Sequence, residues 1–211
     1  MTKRVALAIA LLGCVVTTDA RAESKPDASH GRLDGDLAVA GGLGVTLGPR
    51  APRATADLRL RYLWTSGAFV TYEDGPLVGA SSEPRRVLAA GIEIRPLFLI
   101  RWSRGLEWGN ARADLALDSL GLELGAVFLQ PVGGRFAGTP GLQAGLGFEV
   151  PIFPSASGLL VGVHGGARWS NAALGGEALS GPADRALFLN LVVAWQQVFG
   201  AHIVDLGDTR Q

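Results

Sequence analysis

Seven ionisable side chains recur at strand-like spacing: Arg59 and Arg61, Glu93 and Arg95, Glu149, His164 and Arg168. Their immediate neighbours are apolar or glycine, so the charge is confined to one face of each segment. Arginine brings fixed donors and a permanent charge, a carboxylate accepts, and an imidazole can move a proton near neutral pH. Gathered in one place, such groups can form a satisfied ion-pair network, a charged constriction in a pore, or a polar binding site. His164, single on its segment, reads as a hydrogen-bonded network member before it reads as a base. His30, His164 and His202 are too scattered for a metal site, and no acidic run has EF-hand spacing. The glycines of "GGLGVTLG" (41–48) lack dinucleotide-binding spacing, so no cofactor or metal is expected.

The segments that carry these groups alternate with a period of two. In "RATADLRLRYLW" (53–64), Arg53, Thr55, Asp57, Arg59 and Arg61 oppose Ala54, Ala56, Leu58, Leu60, Tyr62 and Trp64. The same period of two runs through 33–47, 86–102, 113–129, 141–150, 158–169 and 186–199, which argues β-structure throughout. Thr65-Ser66-Gly67 is turn chemistry and divides 54–64 from 67–73, making about eight strands. The 103–112 connection is long for its side of such an array. Charge on one face and grease on the other fits a soluble sheet around a core, or a barrel with a polar lumen and lipid outside.

Composition favours the barrel. The chain has 30 Gly and 48% hydrophobic residues, with a mean hydropathy of +0.27, yet past the start no apolar run approaches the roughly 20 residues of a spanning helix. Lys3 and Arg4, the apolar run Val5–Val16 and Ala20-Arg21-Ala22 read as a secretory signal peptide over residues 1–22. Leu11-Leu12-Gly13-Cys14 is a competing lipoprotein-type signal. Without residues 1–22 the chain holds 16 basic and 18 acidic residues, a balance that offers nothing to nucleic acid. The remainder divides into an N-terminal segment (23–32), a barrel (33–199) and a tail (200–211).

With the N-terminus inside, the long connections 74–85, 130–139 and 170–183 fall on the outer side, where an extracellular ligand would meet them. Trp64, Trp102 and Trp195 then mark one interface, and Tyr72 and Trp169 the other. This pattern resembles the OmpA/OmpX-like small outer-membrane barrels of Gram-negative bacteria over nearly the whole length. The resemblance implies an all-β, antiparallel up-and-down transmembrane barrel of about eight strands. Its surroundings would be outer-membrane lipid and lipopolysaccharide, and the chain is expected as a monomer. Interiors of this size are just filled by side chains, so the lumen charges read as a plug in preference to a pore.

One local motif resembles a family of enzymes. "RWSNAALGGE" (168–177) is similar to the His-x-Ser-Asn-Ala-Gly-Leu signature of lipid A 3-O-deacylases, which implies Ser170 as nucleophile. Arg168 stands where that family has its His and cannot accept a proton, while Glu177 and Asp184 compete for the acidic role. The reading is therefore a structural or surface-interaction barrel and not an enzyme. A deacylase-like esterase, a narrow pore and a soluble periplasmic barrel or sandwich are its alternatives.

Overall fold

The computed structural model describes residues 30–48, 51–79, 84–176 and 184–201. The signal peptide, Cys14, Glu177, His202 and most of the C-terminal tail lie outside the described residues. Eight strands close into one barrel: β1 (Leu37–Leu47), β2 (Arg53–Tyr62), β3 (Ser66–Asp74), β4 (Arg86–Ile94), β5 (Gly121–Gln130), β6 (Gly141–Pro151), β7 (Gly158–Trp169) and β8 (Arg185–Phe199). Every strand pairs antiparallel with the next, and β8 returns to β1 from Leu37↔Phe199 to Leu47↔Leu189. Closure leaves no unpaired sheet edge.

The burial of the pleat is inverted relative to a soluble barrel. Along β2 the buried residues are Arg53, Thr55, Asp57, Arg59 and Arg61, while Leu58 and Leu60 face outward. The other strands repeat this, with Leu43, Ile92, Leu122, Leu124, Leu146, Leu191 and Val193 exposed on the outer wall. Among the described strand residues, the outward faces carry charge only at Asp74, Arg86 and Arg185. All three sit at the strand ends away from the N-terminus, with Asp74 and Arg86 paired at 3.1 Å.

Three expected strands are shorter than their periodicity suggested: β1 begins at Leu37 where 33 was expected, and two others give way to helix. β4 stops at Ile94, and 96–102 is helical: α1 (Pro96–Ser103) places Pro96 in its first turn, where the missing N–H costs nothing, and Pro96 disfavours helical backbone at Arg95, which has φ −110° and ψ 86°. Phe98 and Trp102, four residues apart, stack at 6.2 Å on this helix. Residues 113–118 belong to α2 (Ala111–Asp118), capped by Asn110, whose side-chain oxygen accepts the Ala113 N–H. The long 103–112 connection is therefore the middle of a two-helix excursion between β4 and β5. It folds back at the end of the barrel where the N-terminal segment also lies, and Arg32 ties the two together.

The turn between β2 and β3 is also displaced from Thr65-Ser66-Gly67. Leu63 and Trp64 occupy it with φ of 45° and 60°, closed by the Thr65 N–H to Tyr62 carbonyl bond. Two non-glycine residues at positive φ are strained, and the return is packing. Trp64 swings into the barrel end and packs with Ala38, Phe98, Leu115 and Ala156.

Candidate functional site

The buried faces of the strands bring the charges to one place. All seven expected residues (Arg59, Arg61, Glu93, Arg95, Glu149, His164 and Arg168) lie inside the barrel at 1–5% exposure. Asp57, Glu73, Glu123, Arg53, Gln143, Asn190 and Gln196 join them. Among the described residues the interior thus holds five arginines, at 53, 59, 61, 95 and 168, and five carboxylates, at 57, 73, 93, 123 and 149. Balance is what burial demands, since an unpaired ion away from water is costly. Such low exposures also mean that side chains fill this space.

At mid-barrel, Arg59 donates to Asp57 at 2.7 Å and to Glu93 and Glu123 at 2.6 Å each. Arg61 donates to Glu93, to Gln196 and, at 2.5 Å, to Glu149. Arg95 donates to Glu149 at 2.7 Å, while its Nε lies 3.4 Å from Glu93, an ion-pair distance without hydrogen-bond alignment. The guanidinium of Arg95 also covers the Trp64 ring at 5.3 Å. His164 Nδ1 is 2.8 Å from Glu123, and Nε2 is 3.8 Å from Glu149. Its ring lies in a slot left by two glycines. A Cβ on Gly147 would come within 2.6 Å of Nδ1, and one on Gly162 within 2.8 Å of Nε2.

A second group fills the end away from the N-terminus. Arg168 donates to Gln143 at 2.7 Å and Glu73 at 2.6 Å and stacks 3.9 Å from the Phe188 centroid. Arg53 donates twice to the Pro84 carbonyl, and the Thr46 and Thr55 hydroxyls meet at 2.5 Å.

The third group locks the helical excursion. Arg101 donates to Asp118 at 2.7 Å and to Asp114 at 2.5 Å, and Arg32 donates to Asp118 and to Glu107. Arg32 also covers Phe98 at 4.7 Å. Burial alone would raise the Asp114 carboxyl, but bonds from the Trp108 N–H, Arg101 and His30 outweigh it and hold the group below the ordinary carboxylate range. Arg101, opposed by burial but facing two carboxylates, is raised above its ordinary value.

Ser170 stands apart from these groups. It is the N-cap of the short helix α3 (Asn171–Leu174): its Oγ accepts the Ala173 N–H at 3.1 Å and donates to Asp184 at 2.6 Å. Arg168 is committed to Gln143 and Glu73, and His164 to the Glu123 side of the lumen. Among the described residues no group of three His, Cys, Asp or Glu side chains is arranged to hold a metal ion.

The aromatics divide. Tyr72, Trp169 and Trp195 lie on outward faces of strands. Trp64 is 5% exposed inside the barrel end, and Trp102 belongs to α1, so neither stands on the outward face at a periplasmic strand end, as Trp64 and Trp102 were expected to. Glu123 and Asp57 were legible in the same alternation that marked their neighbours. The Arg101, Asp114 and Asp118 group was not, because a period of two was read across the helices, and Arg32 lies in the N-terminal segment, outside every periodic stretch.

Fold and interior define a closed antiparallel barrel of eight strands, filled by a charge-balanced side-chain network and carrying a two-helix excursion at one end. No family model, curated protein or solved structure matches the chain.

Proposed function

We propose that the chain is an outer-membrane protein, exported by its N-terminal signal, whose barrel is a plugged scaffold that offers the connections after β3, β5 and β7 to the cell exterior. The observation that carries this reading is the uncharged outer wall. Eight strands of 9–15 residues present apolar side chains outward, with charge only at one rim. In water such a wall would be an aggregation surface; in a bilayer it is the required one. Strands of this length, tilted about 40°, also match a hydrocarbon layer of roughly 25 Å. The packed, balanced interior favours a plug over a conducting lumen.

The same reading takes Ser170 as a helix cap and not as a nucleophile. A serine needs a group that accepts its proton near neutral pH, and Arg168 is not one. Purified protein in detergent is expected to release no fatty acid from lipid A, and Ser170→Ala to cost about 1 kcal/mol as a lost cap. Ester hydrolysis abolished by Ser170→Ala would make the chain an enzyme. For location, the full chain is expected in the outer-membrane fraction, with gel mobility that depends on prior heating. Recovery as a soluble periplasmic protein would overturn the proposal.

A further inference from the structure

The excursion between β4 and β5 presents an unusual surface. Its inner side is occupied: Phe98 and Arg101 of α1 and Asp114, Leu115 and Asp118 of α2 are buried. Its outer side carries Leu99, Ile100, Trp102, Leu106 and Trp108, each 47–71% exposed. Between and beside them stand Arg104 and Arg112, both exposed. The acidic residues of the same stretch are all turned inward: Asp114 and Asp118 to Arg101, and Glu107 to Arg32. The result is an apolar face with exposed positive charge and no exposed carboxylate.

The excursion also joins the outer wall at both of its ends. The excursion leaves the barrel after Ile94 and re-enters at Leu120 and Leu122, three exposed apolar residues, and Ile94 pairs with Leu122. Two exposed tryptophans suit the boundary between acyl chains and headgroups, where an apolar body and a polar N–H are both accommodated. The ion pairs of Arg101 and Arg32 fix which side of α1 faces out. An apolar face held in place at the end of an apolar wall, with guanidiniums beside it, has the composition of an interfacial helix.

We propose that 96–112 is a lipid-binding module: Leu99, Ile100, Trp102 and Trp108 seat in the leaflet at the N-terminal end of the barrel, and Arg104 and Arg112 select anionic phospholipid headgroups there. This rests on the membrane reading above, so the experiment separates the two. In a Cys14→Ser background, single cysteines at Leu99, Leu58 and Val78 carry a small fluorophore, and the protein is reconstituted into phosphatidylcholine vesicles containing phosphatidylglycerol. Bromine is placed on the acyl chains of one lipid or the other at equal mole fraction.

The module predicts quenching at Leu99→Cys and at the wall position Leu58→Cys, but not at Val78→Cys on the far connection. At Leu99→Cys, brominated phosphatidylglycerol should quench more than brominated phosphatidylcholine, and Arg104→Gln with Arg112→Gln should remove that preference. Quenching at Leu58→Cys without quenching at Leu99→Cys overturns the module while leaving the barrel in the membrane, and would assign the face to a protein partner or a second copy. Absence of quenching at Leu58→Cys overturns the membrane reading itself. Equal quenching by both lipids at Leu99→Cys, unchanged by the arginine substitutions, overturns the headgroup selection.

Discussion

Arg61→Met tests whether the interior is held together by charge balance. Arg61 is 1% exposed and links Glu93, Glu149 and Gln196. Met keeps much of the side-chain volume and removes the charge, leaving four arginines opposite five carboxylates. Glu149 retains Arg95 and Glu93 retains Arg59, so neither carboxylate is abandoned, but the interior gains one net negative charge. Removing one partner from a buried ion pair costs about 3–5 kcal/mol, and the remaining arginines place the expected loss near the lower figure. The assay is urea unfolding in detergent micelles, followed by tryptophan emission and by the gel shift on heating. The decisive comparison is Arg61→Met with Glu149→Gln, which restores four against four. The pair should be more stable than Arg61→Met alone, with a coupling of about 1–3 kcal/mol. A single variant within about 0.5 kcal/mol of wild type, with no coupling, would refute the balance argument.

Three further outcomes are expected. Leu60→Arg, on the outer wall at 47% exposure, should cost roughly 2–4 kcal/mol in vesicles, whereas Arg is already native at inward positions 59 and 61; full tolerance at 60 would contradict an outer wall against lipid. Gly147→Ala should displace the His164 ring from Glu123 and cost about 1–3 kcal/mol, visible as a lower urea midpoint, and an unshifted midpoint would show that the slot has slack. Asp114, held below its ordinary value, contributes stability that is complete above the unfolded value of about 3.9 and is lost as the pH falls through its folded value. Protease cleavage within 96–118 should therefore rise only below about pH 4, and Asp114→Asn should show that cleavage at neutral pH; acid-independent cleavage would contradict it.

Alternation of side chains was sufficient for β-strands with two unlike faces because it is a local property with a global meaning, and composition tipped the reading to a barrel. In "RATADLRLRYLW" every second residue from Arg53 to Arg61 is polar, and a pleat places alternate residues on opposite faces whatever the rest of the chain does. Strand number, and the separation of Arg59, Arg61, Glu93, Arg95, Glu149, His164 and Arg168 onto the face opposite Leu58, Leu60 and Leu122, follow from that periodicity; which face is inside does not, and closure with the charged face buried decides it. The tertiary structure decided what periodicity cannot express. "PLFLIRW" satisfies a period of two and also a helical face, and Pro96 with the Arg101–Asp114–Asp118 contacts selects the helix. Trp64 reads as an outward strand end until the β2–β3 turn closes at positive φ and carries it inside. Partners such as Arg61 and Glu149, 88 residues apart, meet only because closure brings β2 and β6 around one lumen, and no local pattern records a distance across a barrel.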